Sequence, residues 1–411
     1  MSRIRYELHE GHEVSLLQGA VELYAALGAA VDAAQHEVLL ETYILDPAGS
    51  TAHLLARLMA ASRRGVRVCL LVDGVGTGLL PDVWRQQLDE AGVQWQTYAP
   101  LGTLGLLQPS RWRRLHRKLA VVDGHTGFCG GINLLDDCLD PRFGTLPQPR
   151  LDYAVRVRGP LVAAMHEVMR QLWARTELAA ELRRRDLSGA MASYRTLQAT
   201  RLVAGQPVGR RSTGTAGPRG GIRAALLLRD NLFNRTEIER AYRRAIGAAR
   251  HEIIIANAYF LPGRKLRHAL IRAAQRGVRV RLLLQGQYEY FFTHHARRPV
   301  YRALIGAGVE VQLYAAGMLH AKVAVIDQHW STVGSSNLDP LSLLLAREAN
   351  VVIEDRSFAL QLRERLEGVM ARDAQRVDAQ WLDGASLAER ALQWVALGLM
   401  RLALFVTGLR Y

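Results

Sequence analysis

Residues 116–133 read HRKLAVVDGHTGFCGGIN, and residues 320–337 read HAKVAVIDQHWSTVGSSN. One offset of 204 residues relates the two stretches, with His, Lys, Asp, Gly and Asn at matching places. Weaker echoes lie upstream, in the same order. HEVLLETYIL (36–45) matches HEIIIANAYFL (251–261), and RRGVRVCLLVDG (63–74) matches QRGVRVRLLLQG (275–286). EAGVQWQTYAP (90–100) matches GAGVEVQLYAA (306–316), with upstream offsets drifting between 212 and 216. Matches in one order at nearly one spacing identify an internal duplication, so the same folding unit is expected twice.

The unit reads as α/β. VLLETYIL, VRVCLLV, KLAVVD and YAVRV are short runs rich in β-branched residues, bounded by Gly, Pro or Asp. Leu54, Leu55 and Leu58 recur at helical spacing, which predicts a helix over 50–63 with Gly65 as its C-cap. The second half repeats the plan: helix 234–249, strand 252–257, helix 264–276 ending at Gly277, strand 278–284. Such alternation implies sheets covered by helices. The expected organisation is a first half over 1–181, an Arg/Gly-rich linker or loop over 182–222, a second half over 223–375 and an apolar tail over 376–411.

The 411 residues are enough for two to three domains with their own cores, and 49% hydrophobic content excludes a disordered chain. Cys69, Cys129 and Cys138 form no CxxC pair, so neither a disulfide framework nor a thiolate zinc site is expected, and a reducing compartment is favoured. MSRIRYELHEGHEVSLLQG has no apolar core of signal-peptide length, so export by that route is not expected. The net charge of +15 fits either a generally basic, soluble surface or a polyanionic partner, nucleic acid or an acidic membrane leaflet. Only Lys118, Lys265 and Lys322 are lysines among 53 basic residues, and two of those three occupy the repeated motif. A chain so biased to arginine keeps lysine where a compact ammonium is needed.

Each copy is H-x-K-x4-D-x6-G-(G/S)-x-N. Residues i and i+2 of a strand share a face, so His116 projects with Lys118 and His320 with Lys322. An imidazole beside an ammonium suits a phosphoryl group. The ammonium neutralises its oxygens, and the imidazole attacks phosphorus or protonates a leaving oxygen. Asn133 and Asn337 can donate amide hydrogen bonds to the same oxygens. Asp123 and Asp327 end the motif strands and suit holding the following turn better than attacking anything. A site imidazole needs an acceptor on its other nitrogen, and Asp152 and Glu348, each opening the strand after a motif, are the candidates. His125 and His329 read as loop residues.

The paired motifs resemble the HKD motifs of the phospholipase D superfamily, and the likeness covers most of the chain. GSSNLDPLSLLLAREANVVI (334–353) is most similar to its bacterial cardiolipin-synthesising branch. The resemblance implies two pseudo-symmetric α-β-α halves with one active site at their interface, holding the catalytic set His116, Lys118, Asp123, His320, Lys322 and Asp327. It implies a phosphohistidine intermediate, with His116 as nucleophile and His320 as general acid/base by chain order, the opposite assignment staying open. It implies a phospholipid substrate, with phosphatidylglycerol the expected donor and acceptor and another phospholipid donor or a small alcohol acceptor staying open. It implies an anionic phospholipid membrane surface as partner, no metal or other cofactor and no nucleic-acid partner; it leaves the oligomeric state open. Hydrolysis differs only in using water as the acceptor. A superfamily nuclease and a non-enzymatic binding module are the further alternatives, the last having no need of two complete motifs.

Such an enzyme is expected peripherally on the cytoplasmic face of the bacterial inner membrane. ALQWVALGLMRLALFVTG (391–408) is apolar apart from Gln393, Arg401 and Thr407. A central arginine costs about 2.5–3.5 kcal/mol on insertion, so a helix in the interface or docked on the protein is expected rather than a span. Trp112 and the aromatic stretch around Tyr288, Tyr290, Phe291, Phe292, His294 and His295 either line a lipid entrance or pack on the core.

Overall fold

The chain is seen in a computed structural model that describes residues 6–100, 113–141, 144–184, 221–230, 236–286, 291–339 and 346–378, with positions 191, 193, 194, 234 and 398. Most of the 182–222 stretch, Trp112, Tyr288, Tyr290 and nearly all of the apolar tail therefore lie outside the described residues, as do the side chains of Phe291, Phe292, His294 and His295.

The first half runs β1 (His9–Gln18), α1 (Gly19–Ala33), β2 (Glu37–Thr42), α2 (Ser50–Arg63), β3 (Arg67–Asp73), α3 (Asp82–Glu90) and β4 (Gln94–Tyr98). It continues with β5 (Arg114–Leu115), β6 (Lys118–Val122), β7 (Thr126–Gly130), the hairpin β8 (Leu139–Asp140) and β9 (Gly144–Thr145), β10 (Tyr153–Arg158) and α4 (Leu161–Arg184). The second half runs β11 (Ile222–Arg229), α5 (Glu237–Ala248), β12 (Glu252–Asn257), α6 (Arg264–Gln275), β13 (Arg279–Gln285), α7 (Phe291–Ile305) and β14 (Glu310–Tyr314). It ends with β15 (Lys322–Ile326), β16 (Trp330–Gly334), β17 (Ala346–Glu354), α8 (Arg356–Asp373) and β18 (Ala374–Arg376).

The strand order is β18-β14-β13-β12-β15-β16-β17-β11-β1-β10-β7-β6-β2-β3-β4. Leaving out β18, the order is a palindrome about the β11–β1 junction. Each strand of one half faces its repeat at the same distance from the centre, which gives the duplication a pseudo-twofold axis. At the junction β1 and β11 run antiparallel through His9↔Ala224 and His12↔Ile222, with a bulge between.

Alternation along the motif strands assigns each side chain to a layer. Leu119 and Val121 of β6 join Val323 and Val325 of β15 in one buried cluster shared by both halves. Residues of α4 (Met165, Met169) and α8 (Leu362, Leu366) close that cluster. The intervening residues face outward onto each half's own helices. Ala120 and Val122 meet Leu27, Leu54 and Leu58 of α1 and α2. Ala324 and Ile326 meet Tyr242 and Leu270 of α5 and α6. The helix predicted over 50–63 is α2, and Gly65 beyond it takes φ +93° with its N–H on Ser62 O at 2.9 Å.

Asp123 and Asp327 do not hold the turns that follow them. Both have left-handed backbones, at φ 48° and 50°. The Asp123 carboxylate accepts the N–H groups of Gln35, His36 and Glu37 at 2.8–2.9 Å, 86–88 residues earlier in the chain. Asp327 accepts those of Arg250, His251 and Glu252 at the same distances. Each therefore clamps the turn that feeds the neighbouring strand, β2 or β12. Asp327→Ala is expected to lower unfolding free energy by about 2–3 kcal/mol, since three charge-assisted backbone bonds go. Chemical denaturation measures this, and an unchanged midpoint would remove the clamp role.

Candidate active site

The two motif histidines are placed by a crossing of chain between the halves. β5 pairs in parallel with β17 through Leu115↔Arg347, and His116 N–H donates to Arg347 O at 3.0 Å. The repeat does the same: Leu319 bridges Leu151 in parallel, and His320 N–H donates to Leu151 O at 2.9 Å. The next residue on each side is then an imidazole opposite a carboxylate. His116 Nδ1 lies 3.0 and 3.1 Å from the two oxygens of Glu348. His320 Nδ1 lies 2.6 Å from Asp152 Oδ2. Each histidine thus takes its orienting acceptor from the other half, which neither motif discloses.

Both lysines open the buried strands that follow. Lys118 Nζ folds back to donate to His116 O at 2.7 Å, and Lys322 Nζ donates to His320 O. Lys322 Nζ is also 4.0 Å from Asp152 Oδ2. The Tyr43 ring packs 4.9 Å from the His116 ring, and Lys118 Nζ sits 5.4 Å from the Tyr43 ring centroid. Asn133 and Asn337 are buried beyond β7 and β16. Asn133 anchors the loop after β2 by accepting Ile44 N–H at 3.2 Å on its side-chain oxygen, which leaves its amide for another acceptor. Asp123 and Asp327, expected with the catalytic set, end β6 and β15 at the opposite end from the lysines. His125 and His329 lie in those same distal turns.

The surroundings of the two pairs differ. Glu348 is buried and accepts the Ser335 hydroxyl, and Arg229 Nη2 lies 3.6 Å from it. Arg229 itself is buried, with Nη1 on Ser336 Oγ at 3.2 Å. The position matching Ser335 is Gly131, and a Cβ there would come within 2.3 Å of Asp152 Oδ1. Asp152 instead accepts its neighbour's N–H, from Tyr153, at 2.8 Å. Arg229, Ser335 and Tyr43 went unnoticed in the sequence. One arginine among fifty carries no local signal, whereas the Gly131/Ser335 mismatch was visible in the repeat alignment.

Electrostatics follow the burial. Desolvation drives His116 down to about 4 although Glu348 pulls the other way, and drives His320 well below its ordinary value with help from Lys322 and Lys118. The His116 charge also depresses His320. Burial, then the field of Lys322, brings Lys118 down to about 7. Each half's groups act on the other's, so the two pairs occupy one electrostatic site. Burial lifts Asp152 to about 7 against the pull of Lys322. Burial also raises Glu348, but His116, Arg229 and Lys118 outweigh it and hold this carboxylate below its usual range. Burial and the field of Lys322 both work against the Lys118 charge, so an anionic phosphodiester beside the two lysines would stabilise it.

The family described as "Cardiolipin synthase, PLD-like domain" matches residues 27–173 and 242–370, one segment in each half. The chain belongs to this phospholipase D-like family. It is 38% identical to cardiolipin synthase B of Escherichia coli strain K12 over 385 residues, 91% of this chain and 84% of that protein. It is 27% identical to cardiolipin synthase A of Cronobacter sakazakii, over 88% of this chain and 70% of the relative. Among solved structures, phosphatidylserine synthase from Haemophilus influenzae Rd KW20 superposes with a TM-score of 0.67 at 12% identity, covering 98% of this chain and 96% of its own. Polyphosphate kinase from Porphyromonas gingivalis gives 0.54 at 13% identity, over 95% and 53%. At such identities the likeness is one of fold.

The protonation states set a pH profile. A neutral His116 has a lone pair for attack, and it loses that lone pair only as pH falls through about 4. Rising pH through about 7 removes the Lys118 charge and the proton shared by Asp152 and His320. For a soluble short-chain phosphodiester, kcat/KM is therefore expected to be flat between roughly 5 and 6.5 and to fall on the alkaline side of about 7. Bound phosphate stabilises the ammonium, so the alkaline limb of kcat should lie higher than that of kcat/KM. A profile that only rises, with a single midpoint at the ordinary histidine value, would contradict these protonation states.

Proposed function

We propose that this chain is a phosphatidyltransferase of the cardiolipin synthase type, moving a phosphatidyl group from phosphatidylglycerol to the hydroxyl of a second phosphatidylglycerol. The observation that carries the reading is the crossed pair of imidazole–carboxylate contacts around two buried lysines. The 38% identity to cardiolipin synthase B over most of the chain supplies the substrate class.

His116 is the nucleophile. Its Nδ1 faces a carboxylate that Arg229 and Ser335 hold ionised, so Nδ1 carries the proton and Nε2 carries the lone pair. Nε2 attacks phosphorus, and the bond from phosphorus to the departing glycerol oxygen breaks. His320 donates its proton to that oxygen. The acceptor's hydroxyl then gives its proton to His320 and attacks phosphorus, and the His116–phosphorus bond breaks. Two in-line displacements give net retention at phosphorus. Lys118 and Lys322 neutralise the phosphoryl oxygens, with the amides of Asn133 and Asn337 as further donors. The Asp152–His320 pair suits the acid/base role, because burial brings Asp152 to about 7, where one proton is readily exchanged.

The site of action is the cytoplasmic face of the bacterial inner membrane, approached peripherally. Among the described residues no helix is long and apolar enough to cross a membrane. The net charge of +15 favours an anionic leaflet.

Purified protein in phosphatidylglycerol vesicles is expected to form cardiolipin and release glycerol. Release of phosphatidate alone would replace transfer with hydrolysis, and cleavage of DNA without lipid turnover would sink both. With a nitrophenyl phosphodiester, whose leaving group needs no proton, His320→Ala should accumulate a phosphoenzyme labelled at His116. His116→Ala should form none. Label on His320 would reverse the two roles.

A further inference from the structure

We propose that an apolar groove beside His116 holds an acyl chain of the phospholipid whose phosphodiester is exchanged; this rests on the phosphatidyl-transfer reading above. The groove lies past the C-terminal ends of the parallel strands β2 and β3, the place where open α/β sheets bind ligands. Its volume is about 430 Å³, within the roughly 300–1,000 Å³ of small-ligand sites. Leu45 and Leu80, both part of the first half's core, line it together with Pro47, Ala48, Trp84 and Pro141.

Its two polar side chains, Thr77 and Asp46, each bond the backbone of residues 43–48. The Thr77 hydroxyl donates to Tyr43 O at 3.1 Å and accepts Leu45 N–H at 3.1 Å. Asp46 Oδ1 accepts Ala48 N–H at 3.1 Å. A lining of this kind offers hydrocarbon more than it offers hydrogen bonds. Leu79, which also lines the groove, is 91% exposed, and Val83, next to Trp84, is 64% exposed. A lone exposed leucine means nothing. Leu79 carries the apolar lining out to the surface, and Val83 adds exposed apolar area next to the lining residue Trp84.

The groove adjoins the reacting site across a single stretch of chain. Residues 43–45 separate the two. On one side Tyr43 packs on His116, and Ile44 N–H bonds the Asn133 side chain. On the other, Ile44 and Leu45 line the groove. Gly76 is the point of closest approach: a Cβ there would meet Tyr43 O at 2.3 Å and the Tyr43 ring at 2.8 Å. Glycine alone lets the groove wall come up against that ring. A phosphodiester at His116 thus has its glycerol at Tyr43 and its chain directed along 44–48 toward Leu79.

Two measurements decide the matter. The first is photolabelling in vesicles of phosphatidylglycerol carrying a terminal diazirine on one acyl chain. The label is expected within residues 44–48 and 76–84; labelling confined to other segments would overturn the groove. This readout needs no turnover, so it holds even if the transferase reading fails. The second is the ratio of kcat/KM for dioctanoyl over dihexanoyl phosphatidylglycerol, both dissolved as monomers, followed as release of glycerol, which transfer and hydrolysis share. Each methylene withdrawn from water is worth roughly fourfold. Ala48→Trp, filling the groove from an exposed position, should lower that ratio about fifteenfold if the two extra methylenes of one chain are displaced. A ratio equal to that of the unsubstituted protein would refute the proposal.

Discussion

A motif imidazole held by a carboxylate from the opposite half is the contact on which the rest of the structure depends. It exists twice, as His116–Glu348 and His320–Asp152. A neutral imidazole that must present one nitrogen to phosphorus needs a fixed acceptor on the other. Meeting that need across the duplication requires the halves to close on each other. The strand order supplies the closure, with β1 and β11 joined at the centre and β5 reaching over to β17. The shared core of Leu119, Val121, Val323 and Val325 fixes the depth of the lysines that open the same strands.

The backbone is symmetric where the charges are not. Arg229 and Ser335 surround Glu348, whereas Gly131 makes room for Asp152. One carboxylate is therefore compensated by a buried guanidinium, and the other is left to burial and Lys322. Two copies of one unit come to hold their protons differently, which is what a reaction needing one nucleophile and one proton carrier demands. A perfectly symmetric pair would have no reason to divide the work.

Much of the fold was legible in the sequence because its signals are local. The apolar run after each lysine fixes a buried strand, and Leu54, Leu55 and Leu58 fix α2. Asp152 and Glu348 were found by their place at strand starts, but not which histidine each serves. Those contacts span 168 and 232 residues and follow from how the halves dock, which no periodicity encodes. The role of Asp123 and Asp327 is hidden from the sequence for the same reason. Their partners are N–H groups at the start of β2 and β12, joined only through sheet pairing. Strands β1 and β11, which make the central seam, have no motif to announce them. Arg229 closes β11 as one arginine in a chain full of them.

The exchange of carboxylates between halves ties the fates of the two copies together. After a gene duplicates, its parts ordinarily drift apart, each repairing its own losses. Here a substitution at Asp152 removes the partner of His320 in the other repeat, and one at Glu348 removes that of His116. Neither half holds a complete imidazole–carboxylate pair of its own, so a change in one copy is felt in the other.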